Sequence, residues 1–246
     1  MTNRTIYEFL DSKAPFATAE EWDNVGLLVG NANDEVRRIV VALDVTYGAL
    51  ETARAVGAEL IVAHHPVIFS PLRQLEGNSL PYALAAAGIG VIAAHTNLDK
   101  AADGVNDTLA ARLGLTEVRP TEDGMCRVGT LPEPTDAATF AKSVAAALGT
   151  AVRTNGGGQI KTVALCGGSG GDFLPSLADK ADAFVTGEVR HHEWLWANAH
   201  DFAVIEAGHY ATEVPVVDTL CRWLTEAFPT LTVTAYYDES PYTTLK

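Results

Sequence analysis

Leu60-Ile61-Val62-Ala63-His64-His65-Pro66-Val67-Ile68-Phe69 is an apolar run that ends in two adjacent imidazoles and a proline. A short, continuous apolar run bounded in this way reads as a buried strand of a parallel sheet. Pro66 keeps the strand from continuing in register. Open α/β sheets hold their ligands beyond the carboxyl ends of their strands, so this strand delivers His64 and His65 to the place where such folds do chemistry. Adjacent residues of an extended chain point to opposite faces. On that geometry one metal ion would not take both rings, whereas two ions side by side would take one each.

The same design recurs. Gly90-Val91-Ile92-Ala93-Ala94 is a second apolar strand, ending in His95-Thr96-Asn97-Leu98-Asp99. Phe202-Ala203-Val204-Ile205-Glu206-Ala207 is a third, ending in Gly208-His209-Tyr210-Ala211-Thr212-Glu213. One turn of helix would stack His209 and Glu213, four positions apart, on one face. A lone histidine after a strand is more often a hydrogen-bonded structural residue. Three strand ends that all carry His, Asp or Glu point instead to a metal site, and mixed imidazole and carboxylate donors suit zinc, iron, manganese or nickel.

Around these strands the chain alternates strand and helix. Strands are expected over 37–43, 60–63 and 90–94, with helices opening at Thr5, over 47–56, over 80–87 and over 105–113. A polar seam, Thr116 to Asp123 with Pro120 inside it, precedes a restart: strands over 126–131, 151–154, 160–166 and 183–186, and helices over 136–148, 173–180 and 191–199. A strand from Phe202, a helix over 214–228 and a strand over 231–237 close the chain. The expectation is an α/β protein with two units of related topology, each a mostly parallel sheet flanked by helices. The first unit would span 1–120, the second 121–202, and the segment 203–246 would return to the first with the last candidate ligands.

Composition bounds the function. The chain has 246 residues, 48% of them hydrophobic, and 31 acidic against 17 basic residues give a net charge of −14. A nucleic-acid backbone would require a basic field that this chain lacks. Cys126, Cys166 and Cys221 are too few and too scattered for a disulfide framework or a paired-cysteine metal site, which suits a reducing cytoplasm. Met1 to Leu10 lacks the basic and apolar regions of a secretion signal, and no apolar run reaches the ~18 residues of a spanning helix.

Several polar residues have two readings. Asp44, at the end of a strand, orients a ligand histidine or caps the following helix. Trp22-Asp23-Asn24-Val25-Gly26-Leu27 reads as a loop, either one that puts Asp23 and Asn24 near the site or, more commonly, a turn that anchors Trp22 in the core. Gly167-Gly168-Ser169-Gly170-Gly171 lacks the ending of a phosphate-binding loop and reads as a tight turn. His191 opens a helix close to Thr186-Gly187-Glu188, either toward a substrate or toward solvent. His95 is a candidate general base or a support for the ligands, and Thr96 and Asn97 are candidate hydrogen-bond donors to substrate.

The runs Ala63-His64-His65-Pro66, His95-Thr96-Asn97-Leu98-Asp99 and Gly208-His209-Tyr210-Ala211-Thr212-Glu213 resemble the signature motifs of the Nif-three-like dinuclear-metal proteins, also labelled GTP cyclohydrolase I type 2 homologues. Trp22 to Leu27, Ala42-Leu43-Asp44-Val45-Thr46 and Thr186 to His192 extend the resemblance over nearly the whole chain. It implies two divalent metal ions per chain held by His64, His65, Asp99, His209 and Glu213, with Asp99 and Glu213 bridging. It also implies a ring-shaped homohexamer, in the short form without the inserted domain of some members. The activity implied is metal-dependent hydrolysis, in its most concrete version opening of the guanine imidazole ring of GTP with release of formate. The other reading is a metal-binding carrier, regulator or scaffold without catalysis.

Overall fold

A computed structural model describes residues 1–241. In chain order the regular elements are α1 (Asn3–Lys13), β1 (Gly26–Val29), β2 (Arg38–Ala42), α2 (Tyr47–Val56), β3 (Leu60–Ala63), α3 (Leu80–Ala86), β4 (Gly90–Ala93), α4 (Thr96–Lys100), α5 (Val105–Arg112), β5 (Thr116–Pro120), β6 (Arg127–Asp136), α6 (Ala137–Leu148), β7 (Arg153–Thr154), β8 (Gln159–Cys166), α7 (Leu174–Leu177), β9 (Ala183–Thr186), α8 (His191–Ala199), β10 (Ala203–Glu206), α9 (His209–Glu213), α10 (Val216–Ala227) and β11 (Thr232–Ala235).

The first unit comprises Met1–Ala102 and Val216–Glu239. Its sheet has the order β1-β4-β3-β2-β11. All pairs are parallel except β1 with β4. Every residue of β3 and β4 is buried, as expected of central parallel strands covered on both faces. The helix caps explain the local boundaries. The Thr46 hydroxyl accepts from the Ala49 amide to open α2, and Gly57, at φ +68°, closes it in the left-handed conformation, a position that costs a glycine nothing. The first helix begins before the expected Thr5: Thr2 is its cap and accepts from the Thr5 amide.

The second unit comprises Asp103–Pro215 with Ser240 and Pro241. Its sheet has the order β5-β6-β8-β9-β10-β7. Here the expectation of a mostly parallel sheet fails. Only β8-β9-β10 run parallel; β5, β6 and β7 enter antiparallel. Two apolar clusters cover the faces of this sheet. One is built on Phe140, Val144, Ile160, Leu165 and Ile205, the other on Ala164, Phe184, Leu174 and Val204.

The unit boundaries also differ from those expected. The polar seam at 116–123 is no linker: β5 pairs with β6 inside the second sheet, so that unit starts at Asp103. β10 pairs with β9 and β7, which puts the segment from 203 to Pro215 in the second unit as well. Only α10 and β11 return to the first. His209 and Glu213 therefore belong to the second unit.

Candidate metal centre

In the first unit β3 and β4 end side by side, with Ala63 opposite Ala93 in parallel register, so the residues that follow are brought together. The expected opposite orientation of His64 and His65 does not occur. The strand stops at Ala63 and the chain bends at both histidines, and the two ring centroids lie 4.8 Å apart at an interplanar angle of 43°. His95 joins them, 5.1 Å from His64 and 5.5 Å from His65 between ring centroids. One ligand atom from each of the three rings lies within 4.8 Å of the others. Asp99 sits one turn into α4, only 8% exposed, with a carboxylate oxygen 3.8 Å from His64 Nε2.

Each of these imidazoles is held through Nδ1. His64 Nδ1 lies 2.9 Å from the Ala94 carbonyl oxygen, His65 Nδ1 2.7 Å from Asp44 Oδ1, and His95 Nδ1 2.9 Å from Asp23 Oδ1. All three partners accept, so in the neutral ring Nδ1 carries the proton and Nε2 the lone pair. Asp44 is thus an orienting group for His65. The cap of α2 is supplied by Thr46 instead.

Asp23 organises the other side. Besides His95 it accepts from the Thr96 amide at 3.0 Å and the Thr96 hydroxyl at 2.6 Å. Burial raises its pKa, but the hydrogen bonds from His95 and Thr96 and the charge of His95 outweigh that and hold the carboxyl well below the usual range. Thr96 and Asn97 are buried, at 4% and 0% exposure. The Asn97 amide donates to the Ala14 carbonyl at 2.7 Å. Their polar groups thus tie the loop after β4 to the rest of the unit rather than lying open to a substrate. Trp22, expected in the core, is 59% exposed: the neighbouring Asp23 points inward, and the indole turns outward.

In the second unit β9 and β10 end together, Thr186 opposite Glu206. Gly208, at φ +84°, turns the chain into α9. That single turn stacks His209 Nε2 3.0 Å from Glu213 Oε2, and His209 Nδ1 lies 3.2 Å from Glu188 Oε1. Glu188 thus stands to His209 as Asp44 stands to His65. Its signal was visible in the sequence: it is one more acidic residue just past a strand end.

The glycine run 167–171 acquires a specific purpose here. A Cβ on Gly168 would lie 2.1 Å from Glu213 Oε1 and 3.1 Å from His209 Nε2, and one on Gly167 would lie 3.2 Å from Glu213 Cγ. The run is a tight turn, as expected, and it is also a cradle that lets the backbone approach a buried carboxylate (Glu213, 4% exposed). His191 is exposed at the first position of α8.

The clustered donors fit a divalent ion. The atoms offered are imidazole nitrogens and carboxylate oxygens, which borderline metals accept, and Gly168 sets no Cβ against the Glu213 carboxylate.

A family model described as Duf34/NIF3 (NGG1p interacting factor 3) matches residues 1–241. The chain belongs to the DUF34/NIF3 family. Relatives include a protein of Lactococcus lactis named GTP cyclohydrolase 1 type 2 homolog, 38% identical over 209 residues that cover 80% of this chain and 81% of the relative. A protein of the same name from Streptomyces coelicolor is 34% identical over 84% of this chain and 79% of its own length. The crystal structure of a Staphylococcus aureus hypothetical protein superposes with a TM-score of 0.92 at 28% identity, covering 100% of this chain and 99% of that one. This NIF3-family chain shares with it the mixed α/β fold of two sheets flanked by helices. Among the described residues no helix is long and apolar enough to cross a membrane.

Proposed function

We propose that this chain is a dinuclear-metal-dependent hydrolase acting on a nucleotide in the manner of a GTP cyclohydrolase, with His64, His65, Asp99, His209 and Glu213 as the ligands of two divalent ions. The observation that carries the reading is the shared treatment of the imidazoles. In the first unit three neighbouring rings each give Nδ1 to an acceptor. Structural histidines have no common need for that arrangement, whereas metal ligands do. The family resemblance implies Asp99 and Glu213 as the bridging carboxylates.

When bound, a pair of ions lowers the pKa of a shared water toward neutrality and neutralises charge in a hydrolytic transition state. The protein's own groups do the rest. Ala94 O, Asp44 and Glu188 fix the ring orientations. Asp23 holds the proton of His95 at Nδ1, which leaves Nε2 to take a proton from the attacking water or pass one to the leaving group. His191 is a candidate contact for substrate. Formate released from GTP would be the product of ring opening. The working particle would be a homohexameric ring in the cytoplasm, six times the 26.1 kDa chain by sedimentation.

Elemental analysis tests the site first: about two metals per chain are expected, reduced in His64→Ala and in His209→Ala. Formate release from GTP, compared with Glu213→Ala, tests the activity. No metal after reconstitution with excess ions would overturn the whole reading. Stoichiometric metal without turnover of GTP or of a panel of phosphomonoesters would instead assign the chain to metal carriage, regulation or scaffolding.

A further inference from the structure

Trp22 and Phe69 are large aromatic side chains left 59% and 54% exposed. They are not scattered surface residues. Their ring centroids lie 5.8 Å apart at 49°, and both stand edge-on to His95: Trp22 at 6.1 Å and Phe69 at 6.4 Å, each at 74°. A contiguous aromatic surface thus borders the imidazole proposed as the base, within the first unit.

The chain commits buried polar groups to holding that surface in place. Asp23, next to Trp22, is pinned by His95 and by the Thr96 amide and hydroxyl. Asn24 donates from its side-chain amide to the carbonyl of Ile68, the residue before Phe69, at 2.5 Å. The Trp22 loop is therefore tied through Asp23 to the turn after β4 and through Asn24 to the Phe69 loop, while the rings themselves stay outside. Phe69 lies in the irregular stretch between β3 and α3, and a connection of that length in a compact unit is commonly a binding loop. Exposed aromatic faces held rigid are stacking platforms for planar rings.

We infer that Trp22 and Phe69 form the subsite that stacks the planar heteroaromatic ring of the substrate, a purine base, beside His95. The inference deepens the nucleotide reading above and rests on it for the identity of the ring. Charge supports the same occupant. With a net charge of −14 the chain draws an anionic nucleotide poorly by its overall field, so recognition falls to the uncharged face of the base, which aromatic stacking serves.

The test is calorimetric titration of the metal-reconstituted full chain with guanosine, which carries the base without phosphates, and with ribose 5-phosphate, which carries no base. Trp22→Ala and Phe69→Ala each weaken guanosine binding by about 5- to 150-fold; Trp22→Phe retains most of it, and ribose 5-phosphate is unaffected by all three. Metal content and sedimentation are read on every sample. Guanosine bound equally by wild type and Trp22→Ala overturns the subsite, as does no guanosine binding by a wild type that holds its metal. A change of oligomeric state in Trp22→Ala with no change in guanosine affinity also overturns it and makes the rings a contact between copies. Absence of metal in the wild type overturns the dinuclear centre instead, and the stacking result then stands on its own.

Discussion

Gly168→Ala should damage the metal centre from outside its ligand set. The added Cβ would fall 2.1 Å from Glu213 Oε1 and 3.1 Å from Glu213 Cδ and His209 Nε2. The carboxylate must retreat by about 1 Å to restore ordinary contact. Glu213 is buried, so it retreats by leaving its rotamer, at a cost of about 0.5–1.5 kcal/mol. Gly168 also has φ +61°, which costs alanine about 1 kcal/mol. The expected loss of stability in urea is about 2 kcal/mol. Gly149→Ala isolates the backbone contribution: its φ is +64° and nothing lies within 4 Å of the new methyl, so it should lose only about 1 kcal/mol. Metal affinity, read by competition with a chelator, should fall about 10- to 100-fold in Gly168→Ala, the scale of losing a group that positions a ligand, and stay unchanged in Gly149→Ala. Equal affinity in the two variants would refute the cradle and with it the role given to Glu213.

Three further outcomes follow from described contacts. Asp44→Ala frees the His65 ring to rotate and should lower metal affinity about 10- to 100-fold with little change in melting temperature, since Asp44 is 41% exposed at its side chain; chelator competition reads it. Arg127 is 2% exposed, pairs with Asp107 and donates to the Gly124 carbonyl at 2.7 Å, so Arg127→Met should destabilise by about 3 kcal/mol in urea without changing metal content. Burial and the charge of Asp218 push the Cys221 thiol up to about 11. Its alkylation should be slow at pH 8 and climb toward that pH. Because the unfolded thiol ionises first, stability from this group is intact below pH 9.0 and lost as pH rises toward about 11.

The strands that carry the site could be read from the sequence because they are the most buried ones. The run at 60–63 is apolar throughout and that at 183–186 is apolar up to its last residue, Thr186, and the structure gives β3 and β9 those bounds. The strands that escaped notice are edges. β1 pairs only with β4 and is half-buried at Leu27 and Leu28, so its pattern resembles that of a loop. β5 is exposed throughout and contains Pro120 and a left-handed Glu117 at φ +52°, each a signal against a strand. The antiparallel direction of β6, which lies inside the sheet between β5 and β8, and of β7 was not legible because a strand's own pattern does not encode which neighbour it pairs with. At the site, residue types and strand ends were legible but orientation was not. The bend at His64 and His65 and the outward turn of Trp22 both depend on where neighbouring chain ends, through Asp44, Asp23 and Ile68, and no local pattern encodes that.

The pairing of β2 with β11, Arg38 opposite Thr232 in parallel register, has a consequence for biosynthesis. β2 leaves the ribosome before its partner, with the segment Asp103–Pro215 made in between. The second unit is continuous from Asp103 to Pro215 and has all six strands of its sheet in hand before α10 appears, so it can fold during translation. The first unit meanwhile carries an apolar, unpaired sheet edge, the kind of edge that recruits other chains. Closing it late requires a contact of very long sequence separation, which is slow. The interval before α10 and β11 emerge, rather than collapse of either core, is then the stage at which this chain is most exposed to aggregation.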